Sequence, residues 1–529
     1  MQRPYVYDSC MLFHSLEYLF FFLPVSVAGF FVLQRFWSDR AALVWFIGAS
    51  LFFYAWWNIA GLWLLGSSIA VNYALGTLLA RGKKYRKPIV IAGIAFNLLL
   101  LGYFKYAGFF VDTVNGAFGS SWSVGNIILP LAISFFTFEQ ICWLVELYQR
   151  KVEHPGFLRY CAFITNFPKL IAGPVIRPHE LLPQITDSHA RRFRAEHISV
   201  GLTIFVLGLT KKVVLADTMA PIVNSVFHAS AGGAHVSFLE AWGATLAYTL
   251  QIYFDFSGYT DMAIGSARMF GFTLPLNFAS PYKATNISDF WGRWHMSLTR
   301  MLREYVYFPL GGNRVAQWKR IRNVMATFLL SGLWHGAGWT FVLWGGIHGI
   351  YLVIHQAWRS FRKTGKDAVG SWWGRTLGWT VTFIAVMTGW VFFRSENVGA
   401  ALRMLKTMAG FDGIALPGMA QSTLSSLSTL GVHFDLEHVL VLTPGDWIHV
   451  LPWMVLLLVI ALLFPNTQQF LRNFRPALDA SATETPKGLA RVLVWKPVVM
   501  YSFVLSALLM LSLVFLLLSQ QTEFLYFRF

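Results

Sequence analysis

Long apolar runs separated by short polar turns recur from one end of this chain to the other. A bilayer core demands about 17–25 apolar residues of a helix that crosses it. Residues 18–33 make the first such run, with Pro24 inside it, and residues 41–80 carry no charge at all. That second stretch is long enough for two spans turning near Trp56, Trp57 and Asn58. Residues 88–104, 376–393, 447–464 and 497–520 each read as a single span, and residues 324–357 as a pair or one broken helix. Runs at 127–145, 200–210 and 241–254 are shorter, or interrupted by Glu139, Lys211 and Asp255. Interrupted helices in a membrane lie against protein or a water-filled cavity, because lipid cannot satisfy freed backbone groups. The pattern predicts an all-α, polytopic membrane protein with roughly ten to thirteen membrane helices, least regular in the middle. No linker divides it, so residues 1–529 read as one membrane domain. Residues 1–10 read as an N-terminal extra before a second possible start at Met11, and no cleavable signal peptide is expected.

Composition agrees with the pattern. Only 13% of residues are charged, against about 25% in soluble proteins, and the mean hydropathy is +0.53. The net charge of +17 would suit a nucleic-acid binder, but its placement argues for topology instead. Basic residues collect in short loops between spans, at 81–87, 313–323 and 358–375, where the positive-inside rule applies. No nucleic-acid partner is expected; the bilayer is. Arg35 and Arg40 put the first loop inside, the uncharged turn at Asn58 goes outside, and 81–87 returns inside. Residues 394–446 are acid-rich and read as an extracytoplasmic insertion, while 466–496 are basic and read as internal. Both termini then fall on the outer face. Three cysteines, Cys10, Cys142 and Cys161, give no disulfide framework and no metal spacing. They read as small apolar packing residues.

Ionisable groups inside a membrane are costly and are functional candidates by default. Four histidines qualify: His295, His335, His348 and His355. His335 sits in Ser331-Gly332-Leu333-Trp334-His335-Gly336-Ala337-Gly338-Trp339, where glycines on both sides admit a backbone or a substrate. Desolvation would keep such an imidazole neutral and able to accept a proton, as a general base for a hydroxyl must. A core histidine bonded to a carbonyl is the competing reading. His348, in Trp344-Gly345-Gly346-Ile347-His348-Gly349, reads as packing or substrate lining, and His355 as interfacial. His295 follows Trp291, Arg293 and Trp294, and Asp289 and Arg293 do not share its helix face. It could orient His335 or bind the donor. No histidine pair has the i,i+4 spacing of a helical zinc site, so no metal is expected. Residues 166–178 carry Pro168, Pro174 and Pro178 and predict a broken or re-entrant segment. Asp255 and Asp261 read as the end of a span, either capping it or lining a hydrophilic passage. Residues 282–323 mix Trp, Arg and Tyr, and read as helices at the membrane surface or dipping into a cavity.

Together these segments resemble the membrane-bound O-acyltransferase family, in particular the bacterial branch of alginate O-acetyltransferase membrane subunits. The resemblance runs from Met11-Leu12-Phe13-His14-Ser15 to the tail Phe524-Leu525-Tyr526-Phe527-Arg528-Phe529. It is carried most specifically by residues 167–177, 253–262, 291–314, 333–349 and Pro465-Asn466-Thr467-Gln468. It implies tilted helices around a central tunnel, with His335 as the family histidine and His295 as a second polar position of the branch. It implies cytoplasmic acetyl-CoA as acetyl donor. It also implies an extracytoplasmic polysaccharide acceptor such as alginate or cellulose, reached directly or through a periplasmic SGNH-type acetyltransferase. A bacterial inner-membrane location follows. His335 would act as general base or form a transient acetyl-imidazole, supported by His295. The rival reading is a transporter or flippase for a polysaccharide or lipid-linked sugar. A transporter of that kind is expected to show inverted internal symmetry, and none is evident. The aromatic tail reads as an interfacial anchor or as a docking strip for the SGNH-type partner.

Overall fold

The computed structural model describes residues 11–518 and 525, apart from 83, 172, 190, 363–370, 412–413, 418–431, 436–440, 443 and 479–487. Residues 1–10 and most of the tail, and with them the reading of the N-terminal extra, lie outside the described residues. Four long helices open the chain: α1 (Tyr18–Phe36), α2 (Asp39–Trp57), α3 (Gly61–Arg81) and α4 (Arg86–Phe118). Ser38 starts α2 by accepting a hydrogen bond from the Ala41 N–H, and the uncharged turn at Asn58 separates α2 from α3 as expected. A stretch without regular structure at 119–130 leads to α5 (Ile133–Tyr148), then α6 (Phe157–Ile164), a single turn at Phe167–Leu170 and α7 (Pro178–Thr186). The predicted break at 166–178 is therefore present, placed where the prolines forbid a continuous helix.

The centre of the molecule is a pair of antiparallel helices, α8 (Ala195–Ala231) and α9 (Phe238–Met269). Glycines let them touch backbone to backbone. A Cβ on Gly208 would lie 2.6 Å from the Gly258 carbonyl oxygen, and one on Gly265 would lie 2.6 Å from that of Gly201. The sequence reading ended a span at Asp255; in fact α9 runs unbroken for 32 residues, straight past Asp255 and Asp261. The charges survive inside because α8 answers them. Its π-helical turn Lys211–Ala216 aims Lys211 at Asp261 (2.6 Å), and Lys212 at both Asp255 (2.7 Å) and Asp217 (2.8 Å). Glu139 likewise does not interrupt α5; Lys169 from the broken segment pairs with it in the interior. Buried charges persist when paired in this way.

Two short helices, α10 (Ile287–Arg293) and α11 (Met296–Leu302), precede a helical hairpin of α12 (Gln317–His335) and α13 (Trp339–Phe361). The 324–357 run is thus a pair, broken at Gly336–Gly338. α12 and α13 approach closely: a Cβ on Gly332 or on Gly345 would lie 2.2 Å from the opposing carbonyl oxygen. α14 (Trp372–Arg394) and α15 (Val398–Met408) follow. A small parallel strand pair, Ile414–Pro417 with Val432–Asp435, lies within the 394–446 insertion. α16 (Pro444–Leu463) and α17 (Val499–Leu518) complete the chain. Among the described residues, eight helices are long and apolar enough to cross a membrane: α1–α4, α8, α14, α16 and α17. The protein is a multi-pass, all-α membrane protein apart from that strand pair. Leu525 does not belong to a solvated strip. It is buried, and its N–H donates to Asp255 Oδ2 at 3.1 Å.

Candidate active site

His335 is the last residue of α12, buried where the helix breaks into the extended Gly336. The final carbonyls of a helix have no intrahelical donors. Here α4 supplies them from a π-helical turn, Gly102–Tyr106. Lys105 Nζ donates to the Trp334 carbonyl at 2.6 Å, and the Tyr106 hydroxyl to the Leu333 carbonyl at 2.7 Å. The His335 ring then stands in a wall of aromatics. Its centroid lies 5.1 Å from Trp344 of α13 and 5.3 Å from Phe393 of α14. The turn ending α12 and the face of α13 pack into one buried aromatic cluster because their glycines let the two helices approach so tightly.

His295 enters the same cluster from the other side. It caps α11 in the left-handed conformation (φ 43°, ψ 50°), a region most side chains avoid. Its ring centroid is 6.0 Å from that of His335 and 4.9 Å from Phe256 of α9. Asn277 holds this geometry. Its backbone carbonyl accepts from Met296 N at 3.0 Å, and its Oδ1 accepts from Ser297 Oγ at 2.5 Å and Ser297 N at 3.3 Å. The same Oδ1 faces His295 Nδ1 at 3.3 Å. An oxygen already accepting two bonds requires a donor there, which places the proton on Nδ1 and leaves Nε2 as the ring's acceptor. Ser297 Oγ also accepts from Val175 N at 3.0 Å, so the broken 166–178 segment is tied to the His295 turn. Asn277 borders a small polar cavity with Lys211, Ser257, Thr260, Asp261 and Thr467. There Lys211, Asp261 and Thr467 bond one another at 2.6–2.7 Å.

An ion network fastens the same segments from one end. Arg177 bridges Glu180 and Glu304, and Arg300 reaches Glu180 at 3.2 Å. Burial opposes the Glu180 charge. Hydrogen bonds and charge from Arg177, with the Arg300 charge beyond, outweigh it and hold the carboxyl below its ordinary range. Such a clamp joins α7, α11 and the turn after it, and so fixes the segment on which His295 stands.

Of the four histidines singled out in the sequence, two come together and two do not. His348 is fully buried one layer behind, its ring 5.0 Å from Trp344 and 5.2 Å from Trp291. His355 is half-buried near the end of α13. No group of three metal-ligating side chains occurs among the described residues. The cluster brings together two imidazoles and aromatic walls, with the Lys105 amine on the neighbouring carbonyl, which suits proton transfer and acyl transfer to a hydroxyl.

Comparison with known proteins decides what this cluster belongs to. The model of the membrane-bound O-acyltransferase family matches residues 133–393, a stretch that contains His295, His335 and His348. The chain is 37% identical to the peptidoglycan O-acetyltransferase of Helicobacter pylori, over 98% of both proteins. The chain belongs to the membrane-bound O-acyltransferase family. It is also 34% identical to a probable alginate O-acetylase of Pseudomonas putida, over 98% of this chain and all of that one. A teichoic acid D-alanyltransferase of Bacillus subtilis matches at 27% identity over 51% of this chain and 70% of its own length. These relatives move different acyl groups, and membership of the family makes this protein an acyltransferase rather than a flippase. Lys105, Tyr106 and Asn277 escaped the sequence reading. A lysine beside a predicted span and an asparagine eighteen residues before His295 were the available signals.

Proposed function

We propose that this protein takes acetyl groups from cytoplasmic acetyl-CoA and delivers them across the bacterial inner membrane to hydroxyls of an extracytoplasmic glycan. The observation that carries the proposal is the pairing of His295 and His335 in one buried cluster, at a ring separation of 6.0 Å. Its relatives include O-acetyltransferases matching it end to end, for peptidoglycan and, by its given name, alginate. In the reaction, His335 removes the proton of the attacking hydroxyl as its oxygen bonds to the thioester carbonyl. The C–S bond then breaks, and the proton passes to the departing CoA thiolate. An acetyl-imidazole on His335 is the two-step form of the same exchange, with the hydroxyl attacking second. His295, its tautomer set by Asn277, orients the reacting groups or shares the proton.

The basic loops at 81–87 and 358–375 support a cytoplasmic face for the thioester side, with both termini outside. An SGNH-type acetyltransferase on the outer face is the proposed receiver for transfer to alginate, cellulose or the peptidoglycan glycan. Leu525 is committed to Asp255, so any docking strip in the tail lies outside the described residues. The test uses purified protein, acetyl-labelled CoA and an acetyl acceptor, either a short glycan or the SGNH-type protein. Label should leave the CoA only when wild-type protein is present. No consumption of acetyl-CoA with any acceptor, alongside turnover with another acyl thioester, would overturn the assignment of the donor.

A further inference from the structure

Lys105 is an unusual residue to find at this point in the molecule. It lies within the 33-residue span α4, yet its ammonium reaches Trp334, the residue before His335, and Ser134 Oγ at 3.3 Å. An ionisable group inside a membrane span is functional by default, and π-helical turns like the one that carries it occur often at functional sites. The other buried lysines pair with carboxylates: Lys169 with Glu139, and Lys212 with Asp217 and Asp255. Lys105 has no carboxylate within ion-pair distance among the described residues. Its hydrogen bonds go to a carbonyl and a hydroxyl, which leaves one of its three N–H groups uncommitted there. Its Nζ sits on the carbonyl of the residue that precedes His335.

Two facts follow from that placement. A cation at the carbonyl end of a helix complements its negative pole, so Lys105 fixes the turn that carries His335. A proton held on that amine, in a low-dielectric interior, favours whatever negative charge develops beside it. Acyl transfer develops negative charge twice, on the carbonyl oxygen of the tetrahedral intermediate and on the leaving thiolate. We propose that Lys105 is a positioning residue of the His335 centre, one that fixes the catalytic turn and supplies the charge against which those anions form. The inference rests on the reading of His335 as the acyl-transfer residue.

Three substitutions separate charge from hydrogen bonding. Lys105→Arg keeps both, Lys105→Gln keeps a donor but loses the charge, and Lys105→Met loses both. Turnover of the acetyl donor is measured on purified, folded protein, with His335→Ala assayed alongside. The expected result is a kcat loss of about 100-fold for Gln, similar for Met, with donor KM unchanged. Lys105→Arg should recover at least about tenfold over Gln, since it restores the preorganised charge. Wild-type kcat in Lys105→Gln, with His335→Ala inactive, overturns this inference alone. Activity in His335→Ala overturns the underlying reading instead. If Lys105→Met fails to accumulate, the Arg and Gln pair still decides: equal rates for the two sink the role of charge.

Discussion

Replacing His335 with alanine is expected to abolish glycan acetylation while the protein still inserts and accumulates in the membrane. The size of the effect comes from what the ring supplies. A positioned general base contributes about 10²- to 10⁴-fold, and a nucleophilic imidazole, if acyl transfer is covalent, contributes the whole pathway. The neighbouring imidazoles are held in other positions. His295 is turned toward Asn277, and His348 lies behind Trp344. The structural cost should be modest by comparison, because His335 ends its helix and the turn is held through backbone carbonyls by Lys105 and Tyr106. Polymer O-acetyl content and membrane abundance are measured together. Normal acetylation at normal abundance would remove His335 from the mechanism.

Replacing His295 should cost about tenfold to a hundredfold in activity, in line with a supporting group in general acid–base catalysis. The choice of substitution matters because His295 has a left-handed backbone. Alanine there keeps the left-handed strain of about 1–2 kcal/mol that a side chain pays, whereas glycine adopts the conformation freely. His295→Gly therefore removes the ring without straining the turn, though it loosens the unfolded chain. Both variants should lose activity to the same degree, with His295→Ala the less stable to heat. Were activity to follow thermal stability, falling in the alanine variant and surviving in the glycine one, His295 would be structural. His348→Ala should do less harm than either.

These expectations also show which parts of the molecule could be read from its residues. The apolar runs gave α1 to α3, α14, α16 and α17 closely, because lipid imposes one length and one composition on every helix that faces it. Reading failed where helices face protein. Asp255 and Asp261 looked like the end of a span, since a lone carboxylate does not sit inside a bilayer. Their partners are Lys211 and Lys212, more than forty residues earlier, and the pairing exists only once α8 and α9 pack glycine to glycine. Lys105 was missed for the same reason. The run at 88–104 stops at this lysine, whereas the helix continues through it and hands the charge to α12. His335 was visible because glycines and tryptophans crowd it locally. His295 was visible as one of four histidines, but not what holds it, for Asn277 reaches it through a turn that no periodicity announces.

The most direct test of the central claim uses sealed vesicles that hold the purified protein in one orientation. Labelled acetyl-CoA is supplied only on the face carrying the basic loops, and the acceptor only on the other, either a glycan or the SGNH-type protein. The account predicts acetyl ester on the far side, formed by wild-type protein and absent with His335→Ala. Ester that appears only when donor and acceptor share one compartment would contradict transfer across the membrane. Equal ester from the His335→Ala protein would contradict the site.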